Sequence, residues 1–180
     1  MVSIPSVGGL AVACKQYGPG RLPRADRRNV GAGYAAAAAA LVVSVAFALG
    51  MFGLTLLGLS SNTINPFWGA SALVSLPLVV PAAFVAGVLV WRLLPDGVPY
   101  FGAVAGVLAT VATYLGALAV VSLAVLAARL AWWTGTGGVL TDVGGAVAFV
   151  AIFAGLFTAW LTIPVGCLGG AIYERARTAA

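Results

Sequence analysis

The stretch YAAAAAALVVSVAFALG, residues 34–50, holds no charged side chain and no proline, and the chain stays apolar to Leu59. A helix of about 20 such residues crosses the roughly 30 Å hydrocarbon core of a bilayer. Inside lipid every backbone N–H and C=O must be paired within the segment, so helix is the state this run demands. The alternation of polar and apolar residues that marks a membrane β-barrel is missing.

Three further runs of the same kind follow at residues 67–91, 100–126 and 143–173. Their apolar character surrounds each helix instead of forming one stripe, which suits lipid on one side and neighbouring helices on the other. The sequence therefore predicts an all-α membrane protein. It is read as a bundle of four transmembrane helices over residues 34–173, flanked by a basic N-terminal tail of residues 1–33 and a short tail of residues 174–180. The first and fourth runs exceed the minimum span, so tilt is expected. Composition agrees: 62% of the 180 residues are hydrophobic and 7% charged, against roughly a quarter charged in a soluble domain. The lipid bilayer is thus the first expected partner.

Orientation follows from the basic residues. Lys15, Arg21, Arg24, Arg27 and Arg28 precede the first span, Arg92 lies between the second and third, and Arg175 and Arg177 follow the fourth. The other two connections contain only Arg129. Basic residues are retained on the cytoplasmic side, so an N-in, C-in topology in the cell membrane is expected. Phe67 and Trp68, Trp91, Tyr100 and Phe101, and Trp132 with Trp133 fall at the span ends, where amphipathic rings form belts at headgroup depth. The residues LAVAC at 10–14 have the outline of a lipoprotein box. However, only the amino terminus supplies positive charge before them, and Pro5 with nearby glycines breaks the apolar run, so Cys14 is not read as a lipidation site.

The residue inventory narrows the chemistry. The chain has no histidine, which removes imidazole proton relays, Ser–His pairs and bis-histidine haem ligation. Its four acids, Asp26, Asp96, Asp142 and Glu174, all fall outside the middle of a predicted span, where ion-coupled carriers often place one. The only lysine, Lys15, is far from any span. No catalytic, metal or cofactor site is expected. Asp96 before Gly97 reads as a turn, and Asp142 as an acid facing the N-terminus of the last helix. The basic tail suits anionic lipid, with no nucleic-acid fold to position it.

Three features remain. Hydroxyl side chains are scattered through the spans and are expected to serve packing. Gly102 and Gly106, in GAVAG, and Gly166 and Gly170 form small-xxx-small steps, expected to pack helices within the chain or against a second copy. In SLPLVVPAAF, residues 75–84, Pro77 and Pro81 withhold the N–H groups that the carbonyls of Leu73 and Pro77 would accept. With Ser75 beside them, these residues mark either a fixed bend or the edge of a small polar cavity. The reading is a non-enzymatic accessory, scaffolding or assembly protein of the membrane, with a homo-oligomer or another membrane protein as partner. The alternative is a small transporter or channel component using the broken second helix.

Overall fold

Between Pro23 and Pro66 the chain has no proline, and helix α1, Arg28–Leu56, fills most of that interval. In the computed structural model the described residues are 22–59, 64–95, 99–131 and 138–178. Cys14, Lys15, Arg21, Asp96, Trp132 and Trp133 lie outside them. The described residues form five α-helices: α1, then α2 (Ile64–Val74), α3 (Leu76–Leu93), α4 (Phe101–Ala131) and α5 (Val139–Thr178), with no strand among them.

The helix ends have local causes. At the end of α1, Gly58 takes φ +67°, Leu59 N–H donates to the Leu54 carbonyl and Gly58 N–H to the Thr55 carbonyl. That pair of bonds is the Schellman closure, which favours glycine at the left-handed position. The helix therefore stops before Leu59, short of the apolar run that predicted it. Helix α3 ends where Leu94 turns extended, at ψ 127°, because Pro95 disfavours helical geometry in the residue before it.

At their outer reaches the helices exceed the apolar runs. Helix α1 begins at Arg28, inside the stretch read as tail, because Gly31, Ala32 and Gly33 are buried. In addition, the Tyr173 hydroxyl donates to the Arg28 carbonyl at 2.7 Å. Helix α4 continues to Ala131 and takes in Arg129, and α5 starts at Val139 and runs to Thr178. Arginine stems lie along an apolar helix while their charged heads reach water, so a charged residue does not end these helices.

Three helices are long and apolar enough to cross a membrane: α1, α3 and α4. Helix α5 makes a fourth if its two segments, Thr141–Phe153 and Thr158–Thr178, which meet at 66°, count as one span. The joint contains Gly155, which has open space around its Cβ position. Pro164 lies within the second segment.

The helices form a ring in which α1 packs on α2 and α3, α3 on α4, α4 on α5, and α5 back on α1. The end carrying Arg28, Trp91, Phe101 and Tyr173 is the tight one. Trp91 meets Phe101 and Tyr173 edge-on, each at 5.9 Å between ring centres, and the Arg28 guanidinium lies 4.6 Å from the centre of the Phe101 ring. At the opposite end, Trp68 of α2 stacks on Phe153 of α5 at 5.4 Å, and Arg129 pairs with Asp142 at 2.7 Å.

Size sorts the side chains more than polarity does. Among the described residues the buried hydrophobic ones are six alanines with Val43, Trp91 and Phe101. Large apolar side chains face outward, among them Leu49 at 66% exposure, Leu115 at 63% and Leu156 at 71%. In water this arrangement would leave extensive apolar area unburied. Against lipid, whose tails are as apolar as leucine, helices instead associate through small residues that let backbones approach.

Candidate functional site

Three helices present small or hydroxyl side chains along one face at helical spacing. On α1 these are Ala32, Ala35, Ala36, Ala39, Ala40, Val43 and Ser44; on α4, Ala109, Thr110, Thr113, Tyr114 and Ala117; on α5, Thr158, Ala159, Thr162, Gly166 and Gly170. Residues three and four apart share a helix face, so each series is one wall. With α2 and α3 the walls surround a cavity of about 540 Å³, within the range typical of small-molecule sites.

The proline-broken region lines this cavity through Ser75, Leu78, Val79 and Ala83, while Leu73, Pro77 and Pro81 are exposed on the outer face. Ser75 separates α2 from α3, with backbone angles that remain right-handed helical, φ −75° and ψ −14°. Its carbonyl accepts from both Leu78 and Val79 N–H, at 3.0 and 2.9 Å, and its hydroxyl donates to the Ala72 carbonyl at 2.9 Å. Pro77 therefore sits in the first turn of a new helix, where a missing N–H removes no helical bond.

Most hydroxyls turn back on their own helix. Thr110, Thr113 and Ser122 each donate to the carbonyl four residues earlier, at 3.0, 2.7 and 2.7 Å. Besides the Tyr173–Arg28 bond, a cluster joins α4 to α5, in which the Tyr114 hydroxyl lies 2.5 Å from Thr158 Oγ1 and 2.8 Å from Thr162 Oγ1. The Thr162 hydroxyl donates to the Thr158 carbonyl at 3.0 Å, so its contact with Tyr114 uses the tyrosine proton.

Replacing Tyr114 with phenylalanine should lower bundle stability by about 1 kcal/mol, the scale of interhelical hydrogen bonds in membranes. Denaturation in mixed detergent measures this. A Thr113→Val change, which removes only a bond within one helix, should have a smaller effect.

The glycine steps lie at the tight end. A Cβ on Gly102 would stand 2.5 Å from the Gly170 carbonyl oxygen, and one on Gly106 would overlap the Gly166 carbonyl. These four glycines are thus paired across the α4–α5 crossing of one chain. A second close approach joins Gly33 and Gly87 on α1 and α3, where a Cβ on Gly87 would meet the Gly33 Cα at 2.9 Å.

One polar atom of the wall stands apart. Trp91 is 3% exposed and lines the cavity at the tight end, and its indole Nε1–H is buried with no hydrogen-bond acceptor. Buried tryptophan N–H groups ordinarily find one. No charged side chain lines the cavity, and no three of the metal-ligating residue types come together, among the described residues. The walls supply shape, apolar surface and a hydroxyl cluster. The chain matches no protein-family model, no curated protein and no solved structure.

Proposed function

We propose that the chain is a non-enzymatic integral protein of the cell membrane. It has four spans and both termini in the cytoplasm, and it works as an accessory, scaffolding or assembly component through its helix faces. The supporting observation is the distribution of side-chain size: small residues inside and a continuous apolar exterior on every helix, the surface that lipid or another membrane protein would cover. The topology is supported by charge. Arg28, Arg92, Arg175 and Arg177 belong to the end of the bundle where α1 begins and α5 ends, and Arg129 to the other.

The test is isolation from native membranes in mild detergent. Stable co-purification with a membrane protein or with a second copy is expected. A clean monomer that brings nothing with it would remove the scaffold reading.

A small carrier is the second reading, favoured by the cavity that all the helices surround. It predicts flux of an apolar solute into proteoliposomes, abolished by an Ala40→Leu/Ala117→Leu double substitution that fills the cavity without loss of fold. Flux that survives that substitution, or none from the unmodified protein, counts against it.

A further inference from the structure

We propose that the end of the bundle where α1 begins and α5 ends is a binding surface for anionic phospholipid. Arg24, Arg27, Arg92 and Arg175 hold the headgroup phosphate there, and the exposed apolar faces of α3 and α5 hold the acyl chains. The inference rests on the membrane reading above for the supply of lipid and is independent of the scaffold role.

These arginines are far apart in the sequence, and packing brings them to one level. Helices α1 and α3 approach at Gly33 and Gly87, with α2 meeting α1 further along at Gly69 and Ala48, so the two chains of contact run antiparallel. Arg28 lies five residues before Gly33 and Arg92 five after Gly87, which puts both about 7.5 Å beyond the approach on the same side. The Tyr173 hydroxyl of α5 donates to the Arg28 carbonyl, and Arg175 follows two residues later. The segment before α1 doubles back on it. The Tyr34 hydroxyl donates to the Pro23 carbonyl at 3.4 Å, and the Ala25 carbonyl lies 2.5 Å from where a Gly31 Cβ would stand. Arg24 and Arg27 are therefore held at the rim of the bundle.

Charge at this end is unbalanced. Among the described residues it carries six arginines against two acids, Asp26 and Glu174. Glu174 is taken by Arg177 at 2.8 Å, whereas Arg24, Arg27, Arg92 and Arg175 are exposed and form no ion pair among the described residues. At the opposite end Arg129 is neutralised by Asp142. A cation is favourable near a helix C-terminus, which accounts for Arg92 and Arg175 within the fold, but unfavourable near an N-terminus. Arg24 and Arg27 precede α1, whose first turn holds no acid and whose cap residue, Arg27, makes no capping bond. An external anion offsets that placement and the crowding of like charge.

The faces above the arginines select a lipid over a free anion. Val85, Leu89 and Arg92 share one exposed face of α3, and Leu168 and Arg175, seven residues apart, one exposed face of α5. Each of these arginines stands at the foot of an apolar track, which matches a phosphate joined to hydrocarbon chains. The guanidinium can bond two phosphate oxygens at once, and a headgroup of net negative charge is attracted where a zwitterionic one is not.

The test uses the full-length protein in mild neutral detergent, titrated with dioleoyl phosphatidylglycerol or with dioleoyl phosphatidylcholine, which has the same chains. Retained lipid is counted by native mass spectrometry. Phosphatidylglycerol should bind at least about fivefold more tightly, the effect of one arginine near an anionic headgroup, and added salt should erode the difference. The quadruple variant Arg24→Gln/Arg27→Gln/Arg92→Gln/Arg175→Gln should bind both lipids alike, whereas Arg129→Gln should keep the preference. Circular dichroism checks that each variant is folded. If the quadruple variant is not, the double variants Arg24→Gln/Arg27→Gln and Arg92→Gln/Arg175→Gln decide the matter, each losing part of the preference.

Equal binding of the two lipids, a preference that survives loss of the four arginines, or one that falls as far in Arg129→Gln overturns the surface. Displacement of phosphatidylglycerol by equimolar glycerol phosphate, which has the head without the chains, overturns the lipid assignment in favour of a free anion. A protein that prefers phosphatidylglycerol but captures no partner from native membranes loses the scaffold reading and keeps this one; capture of a partner without lipid preference does the reverse.

Discussion

Replacing Gly106 with leucine should prevent the bundle from forming. A side chain there has no direction in which to yield, because its Cβ overlaps the backbone carbonyl of Gly166 rather than the tip of a flexible side chain. Gly166 is itself covered by the Thr110 hydroxyl, and Gly170 lies against the backbone of Gly102 and Gly106. Relief therefore requires α4 and α5 to separate, which undoes the Tyr114 cluster and opens the tight end. Overpacking in a well-filled core costs about 1–3 kcal/mol and at times more. With backbone meeting backbone the loss should reach at least about 3 kcal/mol, a severe effect for a single substitution. The comparison is Gly116→Leu on the same helix, where a Cβ meets nothing within 4 Å and the change should be nearly neutral. Thermal unfolding in detergent, followed by circular dichroism, distinguishes the two. Equal behaviour of the two variants would mean that α4 and α5 do not cross at the glycines.

Trp91→Ala should be the next most damaging change. Among the described residues Trp91 is one of two aromatic residues in the buried core, and it holds the ends of three helices together through Phe101 and Tyr173. Truncating a buried aromatic side chain typically removes about 3–5 kcal/mol, partly through the void left behind. Trp91→Phe should retain most of the stability because a ring still fills the box. Leu89→Ala, on a side chain 47% exposed on the same helix, should change little. The same unfolding assay ranks the three. If Leu89→Ala were as harmful as Trp91→Ala, the tight end would not be where the bundle is held.

How much of this was readable in the sequence depends on the kind of information each feature needs. The helices were readable because long apolar runs in a bilayer have one low-energy backbone state. Their ends were less so. The apolar run at residues 34–59 gives no sign that Gly58 closes the helix through a left-handed turn, and arginines that look like tail continue α1 and α4 as helix. Residues Gly102, Gly106, Gly166 and Gly170 stood out by spacing, but spacing does not say which steps meet, and the Gly33–Gly87 approach was missed because its steps, Gly33 to Ala37 and Ala83 to Gly87, lie among many alanines.

Proline drew the eye to residues 75–84, whereas the 66° bend falls near Gly155 in α5. Pro77 starts a helix and removes no bond there, Pro81 lies inside α3, and a glycine within a long helix permits a bend without advertising it. The cavity was the least legible feature. Residues 35–40 are a plain alanine run that serves as span filler in a sequence, and they become a wall only once α1 is turned toward three partners. Trp91 read as an interfacial belt residue for the same reason. Nothing in its neighbours along the chain shows that its N–H is buried without an acceptor.

The central claim is that the chain crosses the membrane four times and returns both ends to the cytoplasm. It is tested most directly by labelling introduced cysteines with a membrane-impermeant maleimide in intact cells. Cys14 and Cys167 are first replaced by serine, and single cysteines are placed at Gly138, between α4 and α5, and at Thr178, at the end of α5. Gly138→Cys should be labelled from outside, and Thr178→Cys only after the membrane is opened. Labelling of both from the same side would show that α5, bent at Gly155, does not cross, and would contradict the four-span bundle.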